Sequence, residues 1–464
     1  RSGAKSIKIR SYEVGLYNNG ECVDVRYVAT GDFVALPEAE NLGYKFAGWY
    51  EVPDGGNNNA SRVYDGTYTA SRGMRLYASF TSAEYTVKLD SVGGTLDVTE
   101  VTVTYKEEYK LPVPVSKSLD KVFGGWYAEP NGVGQYTDGD GYGKGLWTGT
   151  DNDITLYAYW VSTLNYTLDN SGTGYIVTEG EGIAYATKVR VEPTHENKPV
   201  KSIDSLAGAG RLQSIEIPDT VDVAKGMMAG VKSSVFADCP VLEAINVYAT
   251  GDTAKTASFD GVLYVLDEES SGKTLSLVPL AKSGKIKVME GTTAIAAYAF
   301  SDIGVKEIEI PSSVTRVGAK AFENCAELEK VEFSVADESE TPAELVVEDG
   351  AFANCANLTT MKLPGRLAKG EYTQKDAAVT SYKLQINTKF NGSILEGCKK
   401  LENVEIVGKQ VNYKSIDGIV YSADGSELLY CPKGRTGKVK TDPAAKVIGN
   451  NAFNSCTELA EVEI

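Results

Sequence analysis

Apolar and polar positions follow two different rhythms along this chain. In the C-terminal two-thirds a six-position phrase keeps returning, Leu-x-x-Φ-x-Φ, where Φ is an apolar residue. Its copies begin at Leu212, Leu242, Val305, Leu328, Leu358, Leu401 and Leu459. In five of the seven a cysteine stands three residues ahead (Cys239, Cys325, Cys355, Cys398, Cys456). Four of those cysteines follow a phenylalanine by three more: Phe236, Phe322, Phe352 and Phe453. Alternation within Φ-x-Φ predicts a short strand with its middle residue facing outward. A unit this small cannot bury its own apolar face, so successive units must stack as a solenoid. A proline such as Pro218 or Pro311 would end each strand, because it cannot donate to a ladder. Glycine then turns the chain and Ala-Phe plugs the interior. The strands are expected to form one parallel sheet, with the rest of each turn on the opposite side.

Ahead of residue 161 the rhythm is strict alternation, as in Tyr85-Thr-Val87-Lys-Leu89 and Val101-Thr-Val103-Thr-Tyr105, which predicts strands. Residues 1–81 and 82–160 read as two copies of one module. Each has Leu-Pro (36–37, 111–112), then Gly-Trp-Tyr (48–50, 125–127), then a closing aromatic phrase, Leu76 to Phe80 or Leu156 to Trp160. Glycine and asparagine clusters at Asp54 to Asn59 and Gly139 to Gly145 read as loops. Residues 161–200 form a transition, with a hairpin around Asn170 to Gly174 that would cover the open end of the solenoid. Two insertions match each other: Asp260-Gly-Val-Leu-Tyr264 before Thr274 to Pro279, and Asp417-Gly-Ile-Val-Tyr421 before Glu427 to Pro432. Both read as hairpins. The polar stretch Gly365 to Lys389 reads as a protruding loop or an extra hairpin. The start at Arg1 and the end in mid-phrase at Ile464 suggest a trimmed chain whose natural form continues.

These motifs carry two resemblances. Ile308-Glu-Ile-Pro-Ser-Ser-Val-Thr-Arg-Val-Gly-Ala-Lys-Ala-Phe-Glu-Asn-Cys325 closely resembles the BspA-like leucine-rich repeats of bacterial surface proteins. Ser301 to Gly304 departs from it by lacking the cysteine, and Leu395 stands where phenylalanine is usual. Gly-Trp-Tyr with the closing Leu-Tyr-Ala-x-aromatic phrase resembles the Listeria–Bacteroides (internalin B-type) repeat. Phe80 departs from the usual tryptophan there. The resemblances imply a mainly β or α+β fold: two small β-grasp-like modules, 1–81 and 82–160, then a leucine-rich solenoid with inserted hairpins over 161–464. They also imply a bacterial surface or secreted location and attachment to host or matrix proteins, with the N-terminal modules as spacer or adhesive units.

Composition narrows the chemistry. A length of 464 residues suggests about three domains. A net charge of −17 argues against nucleic acid as a partner. No run of 18 apolar residues occurs, so no membrane-spanning helix is expected. The single histidine, His195, reads as a solvated loop residue, and its solitude removes most triads and multi-histidine zinc sites. Five of the seven cysteines recur at one repeat position and read as small buried thiols, with pairing between rungs left open. Trp49 and Trp126 read as module core, or alternatively as a carbohydrate-stacking surface. Asp138-Gly-Asp140 resembles half a calcium loop but lacks the closing acid, so a glycine-rich turn is preferred. No phosphate-cradling loop and no selected carboxylate pair appears, so no enzyme, cofactor or metal is expected.

One feature remains. The outward middle residues of the seven phrases are Glu216, Asn246, Glu309, Glu332, Lys362, Glu405 and Glu463. Like charges directly opposed on neighbouring strands cost up to about 1 kcal/mol per pair, and Lys362 and Lys330 would relieve part of that. The ordinary reading is a solvated polar face. The functional reading is an acidic stripe (Glu216, Glu309, Glu332, Lys362, Glu405, Glu463) that recruits a basic protein segment or a cation. The resulting expectation is a monomeric, non-catalytic binding protein whose solenoid face captures an extracellular protein or glycan. The alternatives are a structural spacer of a larger surface protein or a carbohydrate-binding module.

Overall fold

A computed structural model describes residues 10–53, 63–64, 66–223, 235–267, 272–334, 344–365, 372–376, 379–384, 394–408 and 412–464. The loop expected at Asp54 to Asn59 lies outside these residues. The chain divides into two compact units, 1–117 with 123–160, and 118–122 with 161–464. Among the described residues there is no α-helix, only a 3-10 turn at Ile183–Tyr185. The fold is mainly β, as expected.

In the first module the hairpin Ser11–Asn18 / Glu21–Ala29 lies at one side of a five-stranded sheet. Ser11–Asn18 pairs in parallel with Met74–Ser82, which pairs antiparallel with Tyr44–Tyr50. The second module repeats this with Glu100–Thr104, Glu84–Asp90, Thr155–Ser162 and Lys121–Tyr127. Alternation sends Val14, Leu16 and Leu76 inward in one core and Val87, Leu89 and Leu156 inward in the other. The repeated Leu-Pro and Gly-Trp-Tyr are one device. The indole Nε1 of Trp49 donates to the Pro37 carbonyl at 2.8 Å, and that of Trp126 to Pro112 at 2.8 Å. The glycine before tryptophan is required: Gly125 has φ +138°, and a Cβ there would sit 2.3 Å from the Thr137 carbonyl oxygen. Trp49 and Trp126 are only 1% and 0% exposed, so neither ring can stack on a glycan. Asp138 Oδ1 accepts from the amides of Asp140 and Tyr142 at 2.9 and 3.0 Å, which makes the half calcium loop an ordinary turn.

The transition contains the expected hairpin, Leu164–Leu168 paired with Tyr175–Glu179. Leu164, Tyr175 and Val177 share a core with Ile203, Leu212 and Ile215, so the hairpin covers the first rungs. His195 is not a solvated loop residue. It lies in the strand Thr194–His195, stacked on Tyr166 at 4.3 Å and edge-on to Tyr175 at 4.7 Å. Glu196 and Asn197 both adopt positive φ and close a tight hairpin, and neither is the glycine that would have marked such a turn in the sequence.

All seven phrases form strands. They do not form one sheet, because the two insertions divide them into three parallel ladders. The first runs Lys188–Arg190, Ser214–Pro218, Ala244–Tyr248. The second runs Ser283–Lys287, Gly304–Ile310, Lys330–Phe333, Thr360–Pro364, Asn403–Val407. The third pairs Gly437–Lys440 with Leu459–Glu463. A separate parallel ladder of shorter strands joins Lys273–Leu277, Thr292–Ile295, Arg316–Val317 and Val346–Val347. The first of these belongs to an expected hairpin, while the other three fall in what the repeat pattern left as the remainder of the turn.

The interior is periodic. Phe300, Phe322 and Phe352 stack with ring centroids 4.6 and 4.7 Å apart. The thiols of Cys325, Cys355 and Cys398 donate to the carbonyls of Phe300, Phe322 and Phe352 at 3.0, 3.1 and 3.1 Å. Cysteine here is more than a small apolar residue: it supplies a donor to the preceding rung from within a dry core. All seven cysteines are free thiols. The thiols of Cys325 and Cys398 on either side, together with burial, push the Cys355 pKa upward.

The two insertions terminate ladders in the same way. The last strand of the first ladder gives its Ile245 amide to the Gly261 carbonyl at 2.9 Å and its Val247 amide to Ser258 Oγ at 2.8 Å. The last strand of the second gives its Val404 amide to Gly418 at 3.1 Å and its Ile406 amide to Ser415 Oγ at 2.8 Å. Each Asp-Gly turn has positive φ at both residues, which explains the glycine. Tyr264 and Tyr421 are buried, and their hydroxyls accept the Met289 and Asp442 amides at 3.1 Å each. Of the stretch 365–389, the strands Tyr372–Asp376 and Val379–Leu384 pair antiparallel, so the extra-hairpin alternative holds, and much of the rest of it lies outside the described residues.

Two outcomes follow. Replacing Phe322, the middle ring, by alanine should cost about 3–5 kcal/mol in chemical denaturation, as for other fully buried aromatics. In the native protein a thiol reagent should modify exposed Cys22 rapidly and half-buried Cys456 slowly. Cys239, Cys325, Cys355, Cys398 and Cys431 should react only on unfolding, as mass spectrometry would read.

Candidate functional site

The outward residues of the second ladder fall into strict register. One row runs Lys287, Glu309, Glu332, Lys362, Glu405, and the row two positions earlier runs Lys285, Glu307, Lys330, Thr360, Asn403. Parallel in-register stacking therefore sets Glu309 beside Glu332, the like-charge contact that the phrase implied. Lysines relieve it. Lys285 Nζ lies 2.5 Å from Glu309 and 3.8 Å from Glu307, while Lys330 and Lys362 lie 2.8 and 3.2 Å from the two oxygens of Glu332. The hydrogen bonds from Lys330 and Lys362 hold the Glu332 carboxyl below the usual carboxylate range.

The other two glutamates of the stripe stand on different ladders. Glu216 lies beside Arg190 at 2.9 Å, whose guanidinium also covers the Tyr248 ring at 4.3 Å and reaches Glu192 at 3.2 Å. Glu463 is held by Lys438 and Lys440 at 3.0 and 2.9 Å. The structure thus brings Glu309, Glu332, Lys362 and Glu405 together on one face and separates Glu216 and Glu463 from them in the hydrogen-bonded sheets. The face is a mixed-charge ladder rather than a uniformly acidic stripe.

Glu405 is distinct. It is exposed, and among the described residues no cation or hydrogen-bond donor reaches its carboxylate. It stands at the last strand of the ladder, where a groove of about 690 Å³ opens, lined by Glu402, Asn403, Glu405, Ser415, Asp417 and Arg435 among others. Arg435 is fixed on one wall, pairing with Asp417 at 2.7 Å and donating to the Asp417 backbone carbonyl. At the first insertion Lys282 plays that part, 3.1 Å from Asp260. There Ala244 and Asn246 stand where the second has Asn403 and Glu405, so the two insertions share a frame and differ in charge.

Sequence reasoning singled out Asp260 and Asp417 only as turn residues and missed Lys282 and Arg435. Each basic residue follows its aspartate at a different distance, so no fixed spacing marked it. Among the described residues no group of three histidine, cysteine, aspartate or glutamate side chains could hold a metal ion. None of their helices is long and apolar enough to cross a membrane.

Known proteins resemble this chain in segments. The profile of the BspA type leucine rich repeat region matches residues 281–402 and 340–422, and that of the Listeria-Bacteroides repeat domain matches 12–79 and 85–159. Two Evansella cellulosilytica proteins, named "Putative membrane protein" and "Putative Gly-rich membrane protein", are 30% and 29% identical over 196 and 171 residues. Those matches span 40% and 36% of this chain but only 27% and 18% of the relatives. Among solved structures, the pneumococcal vaccine antigen PcpA aligns over 65% of this chain and 68% of its own, at 19% identity and TM-score 0.32. A leucine rich cell surface protein of Faecalibacterium prausnitzii aligns over 53% and 94%, at 15% identity and TM-score 0.26. The chain carries two Listeria-Bacteroides repeat domains followed by a BspA-type leucine-rich repeat region.

Proposed function

We propose that this chain is a non-catalytic binding protein of the bacterial surface or of the secreted fraction. Its solenoid takes an extracellular protein partner on the face of the second ladder, and the two N-terminal modules serve as a spacer. The observation that carries this reading is Glu405, the stripe glutamate left without a cation, set in an open groove at the end of an otherwise ion-paired face. An exposed carboxylate beside a groove favours a basic segment, a lysine or arginine side chain of the partner, over an acidic or apolar one. The BspA-type match supports a surface role, and no enzymatic family is indicated. Glu216 and Glu463 are ion-paired on other ladders, whereas Glu309, Glu332 and Lys362 belong to the same proposed face with their charges already engaged. Their part is to fix the pattern of the face and exclude a wrong register.

A short lysine-rich peptide is a suitable probe. Titrated against the protein, it should bind with an affinity that falls as salt rises, and Glu405→Gln should weaken it by a few-fold. An unchanged affinity would remove the groove from the reading. Glu332→Gln should act differently, on stability. A carboxyl held low in the folded state contributes fully above its unfolded pKa, and that contribution disappears as pH falls through the folded value. The wild-type protein should therefore lose stability more steeply on acidification below the usual carboxylate range than Glu332→Gln, as denaturant midpoints at several pH values would report.

A further inference from the structure

Two copies of one module provide an internal comparison of what its outer surface requires. Among the described residues, the second strand of the first hairpin is in each module the edge of its sheet. The edge of the second module is blunted: Glu100–Thr104 has five residues and turns Glu100, Thr102 and Thr104 outward, with Val103 buried beneath. The edge of the first module is interrupted once, by a bulge at Val23 between the Leu16–Asp24 and Tyr17–Cys22 pairings, and is regular from Asp24 to Ala29. Glu21–Ala29 has nine residues, and Val23, Val25 and Tyr27 are 57%, 41% and 71% exposed. The shared fold therefore does not demand apolar residues there. A long apolar edge presents unpaired backbone groups to any strand that can match it, and natural sheets avoid this unless the edge is used.

We propose that this edge is an interface with a second copy of the chain, formed by antiparallel pairing of the two Glu21–Ala29 strands about a two-fold axis at Val25. Charge selects the partner and the register. Asp24 and Arg26 alternate with the apolar residues and pair with each other at 2.8 Å. A two-fold centred on Asp24, or on Arg26, would oppose that charge to itself. Centred on Val25, it sets Asp24 against the second copy's Arg26 and Val23 against the second copy's Tyr27, with Val25 meeting its own counterpart. Self-complementarity of this kind is what an isologous interface requires. The Asp24–Arg26 pair of each copy then joins a ring of four alternating charges. Strand pairing alone buries little area, so the association is a reversible, concentration-dependent dimer in place of the monomer suggested by the sequence.

Sedimentation equilibrium of the full chain over a concentration series tests this. The expected result is a reversible dimer that Val25→Lys weakens at least about tenfold by placing like charges on the axis. Because Val25 is exposed, the thermal transition should be unchanged. In a Cys22→Ser background, Val25→Cys should give a covalent dimer with a short bismaleimide, whereas Thr102→Cys on the counterpart edge should not. A chain that stays monomeric to its solubility limit overturns the proposal. So does a dimer indifferent to Val25→Lys, or equal cross-linking at the two edges. None of these outcomes depends on the Glu405 groove.

Discussion

Everything in the solenoid depends on the inability of one rung to dry its own interior. A single phrase offers one phenylalanine, one small residue and three aliphatic side chains, too little apolar surface to exclude water alone. Stacking supplies the missing wall. Phe322 is covered by Phe300 on one side and Phe352 on the other, and offset aromatic contacts of this kind add about 0.5–1.5 kcal/mol beyond their buried area. The cysteine completes the rung by giving its thiol proton to the phenylalanine carbonyl of the rung before. An alanine would fill much of the space and lose that donor. A serine would keep a donor and place a more polar atom in the core.

The same constraint makes every ladder end a problem. A terminal strand exposes amides that the next rung would have satisfied, and edges of this kind recruit foreign strands. Here the inserted hairpins do the closing: at both ends a glycine carbonyl and a serine hydroxyl take the two amides. The insertions are therefore not ornaments on a continuous sheet. They stop one ladder, and a new one begins beyond them. The second insertion also leaves a groove at the end of the charged face, which is how the candidate site arises from a structural necessity.

In-register parallel stacking also explains the electrostatics. Once Φ-x-Φ strands pair residue to residue, their middle positions are forced into a row, and a run of glutamates becomes mutually repulsive. The lysines that answer it come from the row beside as well as from the row itself, so the face ends up ion-paired except at Glu405. Repetition alone would have produced a uniform acidic stripe. Local substitutions at Lys285, Lys330 and Lys362 prevent it.

The sequence by itself determined the periodic elements: seven strands, two modules that each carry Leu-Pro ahead of Gly-Trp-Tyr, and the matched insertions. Those follow from alternation, burial and turn chemistry, which act over a few residues and are written in the order of the chain. Only tertiary structure decided what meets across that order. The splitting into three ladders was not legible, because an insertion looks the same in sequence whether it protrudes or closes an edge. The stacking of His195 against Tyr166 was hidden, since the two rings come from strands that are not paired with each other and meet only in the folded chain. The contrast between Glu332, clasped by two lysines, and Glu405, left open to solvent, depends on which side chains from other rungs reach each carboxylate. Charge at an outward position was readable in one dimension, whereas its neutralisation is a property of three.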